Sequence, residues 1–378
     1  MMRTDVVGSL LRPAVWKAAR RRFDAGEIGS REFRAIEDEL IAAAIRMQES
    51  IGLEVVSDGE IRRLNFQDSF GDSVSGYAIG DDRMTLARTE ARVSSGSAHA
   101  RFDMPDLHQV GTPVTRRLPV AHRLRLQRNV PLEEYVAAVP FARRRLKVAL
   151  IGPDRIAQRF DAAASRAVYA DAGAFLADVV AIQRTMIAAL VAAGCRYVHI
   201  DAPGYTAYVD PPSLAAMRAR GEDPDANLAR SIAADAALIA GFPRVTFGIH
   251  LCRGNQASMW HRDGSYDAIA ERLFSALPHE RLLLEYDTPR AGDFAPLRFV
   301  RKGAVCVLGL VSTKTAELES VDSLCRRLDE AARYLPLEQL AISPQCGFAS
   351  DAVGNTLTED DQKRKLERVV EVARRVWG

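Results

Sequence analysis

Eight short apolar runs rich in Val, Ile and Leu recur along the chain, with amphipathic Ala- and Arg-rich stretches between them. The runs are Thr4–Ser9, Glu54–Gly59, Lys147–Pro153, Tyr197–Pro203, Val245–Cys252, Arg281–Asp287, Val305–Ser312 and Leu340–Gly347. Helical patterns fall around 30–51, 174–193, 224–241, 266–277, 321–334 and 358–376. A strand that is apolar on both faces needs cover on both faces, the condition of a parallel sheet wrapped in helices. Eight strand–helix units fit a closed (β/α)₈ TIM barrel better than an open sheet, although a miscount of one strand would return the doubly wound alternative. The expected organisation is one catalytic domain, 1–378, and the only break in rhythm is 72–125. There Arg83–Val93 alternates loosely, and Ser, Gly and Pro punctuate the residues after it. The reading is an insertion after strand 2, an antiparallel ribbon lying over one end of the barrel.

Composition narrows the partners. Lys and Arg number 51 against 49 Asp and Glu, a net charge of +2, with no dense basic block. That balance argues against nucleic acid and for a mixed-charge solvated surface. No run reaches the roughly 18 uninterrupted apolar residues of a membrane span. Nor does the start, Met1-Met2-Arg3-Thr4-Asp5, read as a secretory signal. A cytoplasmic protein without a membrane partner is expected. Five cysteines, an odd number without an export signal, are then ligands, nucleophiles or buried thiols rather than disulfides.

Functional side chains of such a barrel gather at the C-terminal ends of its strands. Nearly every conspicuous polar residue here stands in such a place. His250 and Cys252, one residue apart on a strand, leave the same face. Joined by Glu285 from strand 6 and Cys346 from strand 8, they make a nitrogen, sulfur and oxygen donor set that favours Zn²⁺. One at a time they would read as buried thiols and a core histidine; together, at strand ends, they read as a metal site. Cys195, Cys306 and Cys325 are read as ordinary thiols. Glu60 and Asp201 suit a substrate ammonium or acid–base work, while Glu60 has a structural alternative in pairing with Arg62 or Arg63. Ser9, after Gly8, offers a hydroxyl or an N–H to a ligand. Lys314, just past strand 7, is a general acid, an anion clamp or a solvated surface lysine.

These motifs resemble the catalytic half of cobalamin-independent methionine synthase and its shorter relatives. The segments that carry the resemblance are Val7-Gly8-Ser9-Leu10-Leu11-Arg12-Pro13, Ser57-Asp58-Gly59-Glu60, Ile200-Asp201-Ala202-Pro203, His250-Leu251-Cys252-Arg253-Gly254-Asn255, Leu284-Glu285-Tyr286 and Ser343-Pro344-Gln345-Cys346-Gly347-Phe348. The resemblance implies a TIM barrel with zinc on His250, Cys252, Glu285 and Cys346. It places the amino group of a thiol acceptor near Glu60 and Asp201, and its carboxylate near Ser9. Zinc lowers the pKa of a coordinated thiol, and the thiolate displaces an alkyl group, a methyl by default, from a donor.

Three departures stand out. Ala202 occupies a position that is Glu in the family. Arg159 corresponds to a tryptophan on which folate stacks, and Lys314 to a histidine that protonates the leaving group. No amino-terminal duplicate barrel is read in the chain. A folate donor is therefore disfavoured against a smaller alkyl donor or a corrinoid carrier, with Arg159 in the donor pocket. The resemblance also reaches epoxyalkane:coenzyme M transferases, where a zinc-bound thiolate opens an epoxide. Metal-free uroporphyrinogen decarboxylase-like enzymes, or a binding protein, complete the alternatives.

Overall fold

The computed structural model describes residues 1–78, Leu86 and 118–378. Its strands are β1 (Val55–Val56), β2 (Val74–Tyr77), β3 (Val120–Leu126), β4 (Arg145–Leu146), β5 (Val148–Ile151), β6 (Tyr197–Asp201), β7 (Thr246–Leu251), β8 (Arg281–Glu285), β9 (Val305–Val311) and β10 (Leu340–Pro344). Strands β5 to β10 form one parallel sheet in sequential order. β4 runs directly toward β5 and pairs in parallel with β1, where Lys147 N donates to Val56 O at 2.9 Å. At the other edge Thr4 bridges Ile342 in parallel.

The ring closes between the N-terminal segment and β1 through side chains. Thr4 N donates to Glu54 Oε2 at 2.9 Å, Glu54 N to Thr4 Oγ1 at 2.9 Å, and Ser57 Oγ to Gly8 O at 2.6 Å. The molecule is a TIM barrel with an insertion after its second strand. The run expected over Thr4–Ser9 makes one ladder contact only, because its neighbour β1 answers it with side chains rather than backbone.

Helices cover the outside. Ser30–Ile51, Ala172–Ala192, Pro224–Ile239, Asp267–Ala276, Val321–Ala331 and Glu359–Trp377 lie where the helical periodicity predicts them. Ala14–Asp24, Val130–Ala138, Pro153–Gln158 and Pro211–Ala219 add helix where the sequence reads as irregular connection. The last helix shows why the ends are sharp. Thr358 and Asp361 form a reciprocal capping box, acids fill the first turn, and Arg374 and Arg375 meet the negative end of the dipole. Ala172–Ala192 is apolar and long enough to cross a membrane by length and composition. It buries Phe175, Leu176, Val179, Met186, Ile187 and Leu190, and Phe175 stacks on Phe160 with centroids 4.1 Å apart.

The insertion begins and ends as an antiparallel ribbon. Val74 faces Leu126, Ser75 faces Arg125 and Tyr77 faces Val120. Val74, Val120 and Leu124 bury themselves in the Phe160–Tyr169–Phe175 cluster, so the ribbon base packs on the helical layer. Apart from Leu86, the alternating stretch Arg83–Val93 lies outside the described residues.

Period-two geometry sorts the strand residues into two sets. Val198, Ile200, Ile249, Leu251, Leu282, Leu284 and Leu308 join the large cluster under the helices. Their sequence neighbours fill the barrel: Tyr197, His199 and Asp201 on β6, His250 and then Cys252 at β7, Arg281, Leu283 and Glu285 on β8. Val7, Leu283, Val305, Val307 and Ala341 form a small apolar cluster of their own. Burying each of the Val and Leu side chains contributes about 1.5–3 kcal/mol, which makes a stiff frame for the polar groups beyond it.

Candidate functional site

The donor atoms of His250, Cys252 and Cys346 all lie within 4.8 Å of one another, and all three residues are buried. The two sulfurs are 3.5 Å apart. His250 Nδ1 lies 3.2 Å from Leu283 O. A carbonyl only accepts, so Nδ1 carries the proton and Nε2 keeps its lone pair. That Nε2 is buried with no hydrogen-bond partner. Gly254 N donates to Cys252 Sγ at 3.1 Å, a contact that favours thiolate. The nearby Cys346 thiol and burial nevertheless push the Cys252 thiol well above the ordinary range. Two sulfurs and an orphaned imidazole nitrogen, brought together in one buried group, fit the soft donor set of zinc.

Glu285 stands beside this group, not within it. Its Oε2 accepts from Arg253 N at 2.7 Å, and its Oε1 from Arg290 Nη2 at 2.8 Å and Lys314 Nζ at 3.4 Å. Burial acts to raise this carboxyl, but the charges of Lys314, Arg290 and Arg253 hold it at about 2. Lys314 is only 3% exposed, so it is no solvated surface lysine. Burial lowers its pKa, yet Glu285 and Asp287 outweigh that and keep the ammonium above its usual value. Glu285 and Asp287 hold that ammonium in place.

Glu60, Asp201, Ser9, His250, Cys252 and Cys346 share one cavity of about 680 Å³, its open mouth included. Glu60 reaches it from a strained backbone with φ 52°. Gly8 makes the approach feasible, since a Cβ there would stand 2.6 Å from Glu60 Oε1. The structural alternative for Glu60 survives in part, as an ion pair with an Arg63 that is shared with Glu134. Arg62 bonds Asp38, and Arg63 forks onto Glu134 at 2.8 and 2.6 Å. Glu60 Oε2 is left 3.7 Å from Arg63 Nη1 and without a hydrogen bond. Burial, opposed by Arg63 and aided by Asp201, pushes Glu60 up to about 7. Asp201 goes the other way: burial raises it, but its hydrogen-bond partner His199, with His250 and Arg63 beyond, brings it below the ordinary range. Ser9 Oγ accepts from Ala349 N at 3.3 Å.

Arg159 is not part of the cavity wall. It ends the Pro153–Gln158 helix and sends Nη1 to Gln67 O at 3.3 Å. Arg155, one turn earlier, lines the cavity instead, with Nε on Gln67 Oε1 at 2.9 Å. A six-residue helix has too little periodicity for sequence to show which arginine faces inward. Phe66 and His261 line the cavity too, and sequence reasoning missed both. Asn255 lines it as well, joining the β7 loop to the Cys346 loop by donating to Thr313 Oγ1 at 3.0 Å and Gly347 O at 2.7 Å. Its place in the His250-Leu251-Cys252-Arg253-Gly254-Asn255 run was the available signal.

Residues 2–106 and 127–375 match the family model described as the cobalamin-independent synthase catalytic domain. The YxjH protein of Bacillus subtilis (strain 168) is 34% identical over 391 residues, covering 99% of this chain and 94% of its own length. A methionine synthase of Pyrococcus abyssi (strain GE5 / Orsay) is 22% identical over 348 residues, 91% of this chain and 86% of its own. The structure of a B12-independent methionine synthase from Shewanella sp. W3-18-1, in complex with selenomethionine, superposes with a TM-score of 0.71 at 16% identity. That superposition covers 100% of this chain and 98% of the other, and it carries the barrel fold. On the extent of the family match, the chain belongs to the cobalamin-independent methionine synthase catalytic-domain family.

Proposed function

We propose that this protein is a zinc-dependent methyltransferase that alkylates the sulfur of a small amino-acid thiol of the homocysteine class. One observation carries the reading: a soft three-residue metal group and two carboxylates open into the same cavity. His250, Cys252 and Cys346 would hold the metal, and three protein ligands leave a position for a substrate sulfur. Glu285 is a further ligand candidate whose carboxylate already accepts from Arg253, Arg290 and Lys314 and keeps lone-pair capacity beyond those three. Zinc, when bound, lowers the pKa of a coordinated thiol so that a thiolate is available at neutral pH.

The chain's own residues position the acceptor. Asp201, ionised, and Glu60, once ionised, receive its ammonium, and Ser9 lies within the same cavity for its carboxylate. Lys314, fixed between Glu285 and Asp287, adds positive charge to the rim. Phe66 offers a flat donor the ring that Arg159 does not, which weakens the sequence argument against folate.

Arg155 favours a second reading. A buried guanidinium in the cavity wall suits an anionic group, and a sulfonate-bearing thiol that opens an epoxide would bring one. Two measurements decide. Purified protein is expected to hold about one zinc per chain, and Cys346→Ser to lose it, since thiolates contribute much of such a site's affinity. Calorimetry of the zinc-loaded protein is expected to show homocysteine binding far tighter than 2-mercaptoethanesulfonate. Protein that neither carries nor takes up zinc sinks the proposal, and the reverse preference transfers it to the epoxide reaction.

A further inference from the structure

Beneath the metal group, five side chains form one continuous path through the barrel interior. Asp5 Oδ2 accepts from Arg281 Nε at 2.9 Å and from the Tyr197 hydroxyl at 2.7 Å. Asp5 Oδ1 accepts from Lys147 Nζ at 2.9 Å. Lys147 Nζ also donates to Val6 O and lies 3.4 Å from His199 Nδ1. His199 Nε2 lies 2.9 Å from Asp201 Oδ1, where the path opens into the cavity. Asp5, Tyr197 and His199 are fully buried, and Lys147 and Arg281 nearly so.

The direction of each bond is set by what an ammonium is able to do. It has three N–H donors and no acceptor. Its three neighbours, Asp5 Oδ1, Val6 O and His199 Nδ1, use all three. His199 Nδ1 must therefore present its lone pair, and the single proton of the neutral ring sits on Nε2, aimed at Asp201. Either swap costs heavily: a proton on Nδ1 would face the ammonium, and a bare Nε2 would face a carboxylate.

We infer that Lys147 and His199 are positioning residues for acceptor binding. Lys147 selects the Nε2–H tautomer of His199, and that N–H pins one oxygen of Asp201 so that the other is held ready for the acceptor's ammonium. This rests on the proposal that Asp201 receives that ammonium. It explains why a histidine and a lysine lie under a carboxylate with which no substrate-binding role connects them. The path is a tautomer lock and moves no proton in turnover.

The test compares His199→Gln with His199→Phe in the zinc-loaded full chain. Gln keeps the polarity, its Oε1 accepting from Lys147 and its Nε2 donating to Asp201; Phe keeps neither. His199→Phe is expected to weaken homocysteine binding, read by calorimetry, about ten-fold or more, the size of a lost charge-assisted hydrogen bond, with unchanged zinc. His199→Gln is expected to stay within about three-fold of the unmutated protein, since it preserves that bond. Nitrogen-15 NMR of the unmutated chain supplies a readout that needs no substrate. The histidine signals that vanish in His199→Gln are expected to show a protonated Nε2 and a bare Nδ1 at neutral pH. A proton on Nδ1, or unchanged homocysteine affinity in His199→Phe, overturns the inference. Should His199→Phe fail to fold, the NMR measurement decides alone. Failure of the unmutated protein to bind homocysteine would fault the proposed acceptor, and the tautomer measurement would still stand apart from it.

Discussion

Asp5 and Glu60 are both carboxylates sealed inside the barrel, yet they behave in opposite ways. Asp5, fully buried, has both oxygens taken by Lys147, Arg281 and Tyr197. Burial raises its carboxyl, but the charges of Lys147 and Arg281 bring it down to about 2. Glu60, 4% exposed, keeps an oxygen without a hydrogen bond and is pushed up to about 7. Burial is the same in both, so compensation makes the difference. At the floor every polar atom of Asp5, Lys147, Tyr197 and His199 has a partner, and only Arg281 leaves a nitrogen unused. At the mouth His250 Nε2 has no hydrogen-bond partner, and Glu60 Oε2 and Arg63 Nη1 face each other at 3.7 Å as an ion pair without a hydrogen bond. Compensation at Asp5 stabilises the fold, while the looser pairing at Glu60 leaves a carboxyl able to answer a ligand's charge.

The largest effect expected from this contrast lies at the floor. Asp5→Asn strands Lys147 and Arg281 in the interior and is expected to cost about 3–5 kcal/mol of stability. The sign with pH is definite. A carboxyl held at about 2 in the folded chain, against roughly 4 in the unfolded one, stabilises above about pH 4 and loses that contribution as pH falls toward 2. Denaturant unfolding from pH 5 to pH 2 should show this acid slope in the unmutated chain and a smaller one in Asp5→Asn. Equal midpoints at neutral pH would mean that the floor contributes nothing and the contrast is false.

At the mouth, Asp201→Asn should do the reverse. Asn keeps the shape and still accepts from His199 Nε2–H, but it removes the charge. Acceptor affinity is expected to fall about 10- to 100-fold, the range of a charge-assisted hydrogen bond, with little change in melting temperature. Calorimetry with homocysteine beside a thermal melt measures both. A large drop in melting temperature with unchanged affinity would place Asp201 with the floor.

Much of this was legible in residue order, and the reason is periodicity. His250 and Cys252 two apart, and Tyr197, His199 and Asp201 two apart, share the barrel interior because strands alternate. What the sequence hid is pairing across the barrel. Arg63 lies three residues from Glu60 but forks onto Glu134, 71 residues on. Glu285 belongs by position with His250, Cys252 and Cys346, yet Arg290 and Lys314 engage its carboxylate. Asp5 reads as one more polar residue near a terminus until the fold brings Lys147, Tyr197 and Arg281 around it. Arg155 rather than Arg159 lines the cavity because six helical residues carry no readable face.

Glu60→Gln gives the smallest effect and the sharpest use of the contrast, because its sign is the opposite of Asp5's. A carboxyl raised to about 7 in the folded chain contributes stability that is present below roughly pH 4 and is lost as pH rises through 7. Ionising Glu60 in the ligand-free protein therefore costs stability on the alkaline side. Gln cannot ionise, so Glu60→Gln is expected to be more stable than the unmutated protein at pH 8, by about 1–2 kcal/mol after allowance for its coupling to Asp201. The same ionisation serves the ligand, since a carboxylate attracts an ammonium and a carboxylic acid does not. Homocysteine binding by the unmutated protein should strengthen as pH rises through 7, and Glu60→Gln should lose most of that rise. Unfolding midpoints and calorimetry at pH 6 and pH 8 give both slopes from one pair of proteins. Parallel slopes for the two chains would show Glu60 ionised throughout. The unmet hydrogen bonding at the mouth would then belong to His250 alone.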